Sequence, residues 1–147
     1  MIRDDDKPPT PAVEAAFLAL GGTVTKWEAG RALEQELFLS LAEADVMLLL
    51  NKAIELHEAN LVDQHIKSAS NGAISLDDIQ TSSIIDGVSD QQRQALGMAA
   101  KSKSAAWFKS VSTMEAVSLA VIGPGLANAT PEFRQKVSNI FTWAENG

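Results

Sequence analysis

The side chains best suited to acid–base, nucleophilic or metal chemistry are scarce in this chain. It has two histidines, His57 and His65, no Cys and no Tyr. Lack of Cys removes disulfides, thiolate zinc ligands and cysteine nucleophiles together. His57 and His65 are eight residues apart, which on a helix turns them about 80° from one another. The zinc pattern H-E-x-x-H starts at His57-Glu58 and fails at Leu61, so no second imidazole stands one turn on. His57 falls inside an apolar stripe, between Ile54 and Leu61. That placement predicts a neutral core histidine with one hydrogen-bond partner rather than a metal ligand. An enzyme or metal protein built on His57 or His65 with Glu58 or Asp63 is the weaker reading.

Asp77-Asp78 is an adjacent carboxylate pair. At a helix start the pair complements the helix dipole more simply than it performs acid–base work. No G-x-S-x-G, P-loop or G-x-G-x-x-G occurs, and Gly123-Pro124-Gly125 has neither a third Gly nor a preceding strand. The inventory predicts a binding protein rather than an enzyme, with no cofactor.

Charge is the stronger signal. Residues 1–90 hold 6 Lys and Arg against 16 Asp and Glu, whereas residues 91–147 hold 6 against 3. Phosphate binding needs local positive charge, so nucleic acid is disfavoured as a partner of the acidic part. A basic protein surface is the better partner, and the basic half of a second copy, as in a homodimer, is one form of it. The expected contact residues are Asp63, Asp77, Asp78, Asp86 and Asp90. The expected function is a non-enzymatic interaction module: an inhibitor, immunity-type factor, adaptor or secretion accessory protein of a bacterium or phage. Plain solubility explains the same charge equally well.

The elements that must carry these residues are helices. Ser40 to Ile66 contains no Gly or Pro and includes five consecutive apolar residues, Val46 to Leu50. It predicts one central buried helix over about 41–66, capped by Ser40 with Glu43. Val46, Met47, Leu50, Ala53, Ile54 and Leu61 share a stripe, and Leu48, Val62 and Ile66 lie nearly opposite. Neighbours should therefore wrap most of its sides.

Other start and stop signals surround it. Thr10-Pro11 opens a helix with Val13, Ala16, Phe17 and Leu20 on its apolar face, and Gly21-Gly22 ends it. Thr25 and Glu28 form a capping box for a helix through Leu37 and Phe38. Ser75 with Asp78 and Ser89-Asp90 cap two more, the second running from about 90 to 121, where Lys101 to Ser104 kinks or divides it. One side of that helix is small, with Ala95, Ala99 and Ala106, which lets a neighbour approach closely. Gly123-Pro124-Gly125 is a hard stop, and Thr130-Pro131 opens the last helix, with Phe133, Val137, Ile140 and Phe141 on one face. The sum is all-α: a single-domain bundle of five or six helices.

Residues 1–9, acidic and Pro-rich, predict a mobile tail ahead of one domain, 10–147. They carry no apolar run and no secretory signal, and no stretch of about 18 apolar residues predicts a membrane span. The default compartment is the cytoplasm, with signal-independent export left open.

Two short stretches resemble parts of known families. Gly22 to Glu28 and Gly72 to Asp78 each resemble the second half of an EF-hand loop: Gly, an apolar residue two on, then Ser or Thr, then a carboxylate. The resemblance implies a minimal β bridge between Val24 and Ile74. It does not imply calcium, because the ligand positions ahead of Gly72 are Lys67, Ala69 and Asn71. Thr23 to Arg31, TVTKWEAGR, is similar to the recognition segment of Cro/repressor-type helix-turn-helix proteins. That resemblance implies the alternative function, a DNA-associated regulator with Thr23, Lys26 and Arg31 facing the nucleic acid.

Overall fold

The structure is a computed structural model that describes residues 1–28, 30–102 and 106–146. It is mostly helical. In chain order the elements are β1 (Ile2–Arg3), α1 (Pro11–Ala19), β2 (Thr25–Lys26), α2 (Leu33–Ser40), α3 (Glu43–His57), α4 (Ala59–Ala69), α5 (Leu76–Ile85) and α6 (Asp90–Ala100). Then come α7 (Val111–Val117), a π-helical segment (Ser118–Ile122), the short α8 (Gly123–Gly125), a 3-10 turn (Leu126–Asn128) and α9 (Pro131–Asn146).

The expected central rod is two helices. Glu58 lies at φ 64° and ψ 146°, far outside helical values, and separates α3 from α4. The joint is one residue long. The Glu58 N–H still reaches the Ile54 carbonyl at 2.9 Å, and the Val62 N–H reaches the Glu58 carbonyl at 3.1 Å. Nor is this region wrapped on most sides. Val46, Leu49, Leu50, Ala53, Val62 and Ile66 are buried, but Leu48 and Leu56 are each 49% exposed and Leu61 is 40% exposed. The break turns α4 to bury its own face instead of extending the stripe of α3.

The packing centre is α6, against which α2 and α4 both lie. Its small residues permit this. A Cβ placed on Gly97 would stand 2.8 Å from Gln35 Cα of α2, so the two backbones meet there. Ala95, Ala99 and Ala100 are buried beside it. Arg93 holds the same crossing together. Its Nη1 donates to the Phe38 carbonyl at 3.1 Å and the Leu41 carbonyl at 2.8 Å, at the end of α2 where helix carbonyls lack intrahelical partners.

Several starts follow local chemistry. Helices begin at Pro11 and Pro131, and Ser75, Ser89 and Ser110 accept from the N–H groups of Asp78, Gln92 and Thr113. Others differ from expectation. Ser40 ends α2 rather than capping α3, and its Oγ donates to Glu36. Thr25 lies in β2, and the next helix starts only at Leu33. The expected helix over 90–121 ends at Ala100 and resumes at Val111; within the stretch expected to divide it, Lys103 and Ser104 lie outside the described residues. The face expected to bury α1 does not: none of its residues is buried, and Leu20 just beyond it is 89% exposed.

Gly123-Pro124-Gly125 does not stop the chain; it continues the helical run. The preceding π-helical segment sets the Gly123 N–H on the Ser118 carbonyl, five residues back. That shift removes the regular i−4 pairing with which a proline ring collides. Gly125 then packs on α3, where an added Cβ would meet the Asp45 carboxyl carbon at 2.6 Å.

The small sheet pairs β1 with β2 in parallel, Ile2 opposite Thr25 and Arg3 opposite Lys26. The expected bridge between Val24 and Ile74 is therefore replaced by one to the N-terminus. Ile74 instead donates its N–H to Ser70 Oγ at 3.0 Å. Residues 1–6, within the stretch expected as a mobile tail, are held at several points. Asp4 accepts from Leu33 N–H and Asp5 from Gly30 N–H, each at 2.9 Å, while Asp6 pairs with Lys101 at 3.2 Å.

Candidate functional site

The five carboxylates expected to meet a partner fall into two groups. Asp63 and Asp78 are bound into local structure. Asp63 pairs with Lys67 at 2.7 Å and accepts the Leu76 N–H at 2.9 Å, which joins α4 to the start of α5. The Lys67 contact chiefly, and the Leu76 N–H after it, hold its carboxyl below the usual range. Asp78 accepts from the Ser75 hydroxyl at 2.6 Å and the Ser75 N–H at 2.8 Å, and those bonds lower it too. Both are anions at neutral pH, but their oxygens serve the fold.

Asp77, Asp86 and Asp90 are exposed. Asp86 follows Ile84 and Ile85, which are 85% and 69% exposed. The reason is rotation. Leu76 and Ile79 bury one face of α5, and Ile84 and Ile85 lie about 140° and 240° round from Ile79. The presentation is rigid. Gln92 of α6 donates to Ser82 Oγ at 2.8 Å, fixing α5 on α6. Glu43 accepts the Val88 N–H at 3.2 Å, and Gly87, at φ 87°, lies so close that an added Cβ would be 2.7 Å from Glu43 Oε2. The result is an apolar pair beside the Asp86 carboxylate at an anchored turn. The sequence marks the aspartates but not the isoleucines, because period alone does not say which face of α5 is covered.

A cleft of about 830 Å³ opens elsewhere, among Ile2, Trp27, Leu33, Phe108, Val111 and Met114. Glu34 stands on its wall. Burial first, then the carboxylates of Asp4 and Asp6, push its carboxyl above the ordinary range. Arg3 at the cleft is occupied, with Asp5 at 2.8 Å and Glu14 at 2.7 Å. Nothing in the sequence marks this cleft, since its walls come from four separate segments.

The histidines meet one residue. His57 Nε2 lies 3.1 Å from the Trp107 carbonyl, and His65 Nδ1 accepts from the Trp107 indole N–H at 3.0 Å. Among the described residues His57 has this one partner, as expected, but it is half-buried rather than in the core. Among the described residues no three of His, Cys, Asp and Glu gather to hold a metal ion.

Thr23 to Arg31 departs from the recognition helix its resemblance implies. Thr25 and Lys26 are strand, and Trp27 is buried against Phe133 at 6.0 Å between rings. Lys26 lies 3.4 Å from Asp5, and Arg31 lies 3.2 Å from Glu36. Thr23 is exposed. No helix spans the described residues of this stretch, and its two cations already face carboxylates. No helix of the described residues is long and apolar enough to cross a membrane. Comparison with known protein families, curated proteins and solved structures finds no match.

Proposed function

We propose that the chain is a non-enzymatic interaction module, of the inhibitor, immunity-type, adaptor or secretion-accessory kind, that binds a basic protein surface through the end of α5. The observation that carries this reading is the exposed Ile84-Ile85 pair next to Asp86, with Asp77 and Asp90 also exposed. Two adjacent isoleucines left in water forgo roughly 1.5–3 kcal/mol each, a stabilisation that docking recovers. Apolar anchors give affinity, and exposed carboxylates such as the adjoining Asp86 select for Lys and Arg on the partner and speed encounter.

The test is affinity capture from the native host with three baits: the wild type, Ile84→Ser/Ile85→Ser, and Asp77→Asn/Asp86→Asn/Asp90→Asn. A partner held by the wild type, lost with the serine pair and weakened by salt supports the proposal. Equal recovery by all three baits overturns it. Light scattering separates a second copy of the chain from a different partner.

A further inference from the structure

We propose that Trp107 is the tongue of a proton-operated latch, which lets go when His65 takes up a proton. Hydrogen-bond chemistry gives the reason. An indole N–H can only donate, so His65 Nδ1, 3.0 Å away, must carry a lone pair and the ring proton must sit on Nε2. An imidazolium has no lone pair. Protonation therefore turns this bond into a meeting of two N–H groups, with the indole N–H left unpaired inside the core. The partner contact behaves oppositely. The Trp107 carbonyl can only accept, so His57 donates to it from Nε2 in either charge state. Trp107 thus reads one histidine as donor and the other as acceptor, and only the second contact is destroyed by acid.

The fold makes this pairing. In one straight helix His57 and His65 would sit two turns apart and point in different directions. The break at Glu58 turns α4 so that both reach the same residue. Trp107 itself is 1% exposed and plugs the core edge-on against Phe38, 6.0 Å between rings, and Phe108, 6.3 Å. Its release would loosen Phe108 and with it one wall of the 830 Å³ cleft.

The charges around His65 oppose its protonation. Burial, and after it the imidazole of His57, favour the neutral ring. Lys101 lines the same hollow of about 360 Å³ and is paired with Asp6. On α4 itself Asp63 is engaged by Lys67, and Glu58 at the joint is exposed. On α6, Arg93 faces the carbonyls of Phe38 and Leu41. The hollow is open to water, so a proton reaches His65 without unfolding.

The experiment follows the indole ¹H–¹⁵N signals of the intact protein from about pH 7.5 to about pH 4, a range that extends well below the ordinary histidine titration because His65 is held below it. Trp107→Phe assigns the signal. The expected result is a shift of the Trp107 signal alone, with a midpoint below that of an ordinary histidine. In His65→Asn the side-chain Oδ1 stands near the position of Nδ1, accepts the same bond and does not titrate, so the Trp107 signal should stay flat. A wild-type Trp107 signal that does not move across the range overturns the latch, whether or not the variant folds. So does a His65→Asn protein whose Trp107 signal titrates like the wild type.

Discussion

Glu58 offers the sharpest test of how α3 and α4 are joined. Its φ of 64° with ψ 146° is a region that side-chain-bearing residues rarely occupy, and holding one there costs of order 1–3 kcal/mol. Glu58→Gly removes that strain. It also frees the unfolded chain, which costs roughly 0.5–1 kcal/mol. At mid-range strain relief outweighs that cost, so the glycine variant should gain about 1 kcal/mol, within a range of about 0–2.5 kcal/mol. Glu58→Ala is the control. It keeps the Cβ and the strain, and Glu58 makes no side-chain cap bond to lose, so it should fall within about 0.5 kcal/mol of the wild type. In a continuous helix the order is reversed, because Ala exceeds Gly by about 1 kcal/mol at an interior position. Guanidinium unfolding of the three proteins measures both differences. If Ala at this position is as stable as Gly, or more so, the helix runs through Glu58 and the two-helix geometry, including the convergence on Trp107, is wrong.

Three further outcomes are expected. Gly97→Ala should destabilise by up to about 2 kcal/mol, because overpacking against the Gln35 backbone, about 1–3 kcal/mol, exceeds the roughly 1 kcal/mol gained in helix propensity; a lower midpoint in thermal unfolding checks it. Arg93→Met should cost about 2–4 kcal/mol, since two carbonyls at the end of α2 lose a charged donor, and Arg93→Lys should recover only part of that in the same unfolding assay. Glu34 binds its proton more tightly in the folded chain than in the unfolded one, so its contribution is fully present below about pH 4.5 and is lost as pH rises through the folded value. Glu34→Gln should therefore be equal to or slightly more stable than the wild type at neutral pH, by under about 1 kcal/mol given its partial exposure. Stability curves taken at about pH 4 and about pH 7 would show the gap opening with pH.

What the sequence determined by itself is the set of events decided within a few residues. Thr10-Pro11, Ser75 with Asp78, Ser89 and Thr130-Pro131 all start helices where their types say they should, because a proline at the first helical position or a cap contact spanning three residues owes little to distant parts of the chain. The mostly helical class follows from the same local preferences and the apolar spacing. Tertiary packing decided the rest. Nothing local marks Glu58 as a break; its cause lies in the neighbours that α4 must face. Nothing local shows that a π-helical segment would carry the chain through Gly123-Pro124-Gly125, or that Ile2 would pair with Thr25. Ile84 and Ile85 have the same chemistry as the buried Ile79, and only the seat of α5 against α4, with the tie from Gln92 of α6, puts one in the core and leaves the other two in water. Burial is a property of what lies opposite a face, and a periodic sequence can describe the face but not its neighbour.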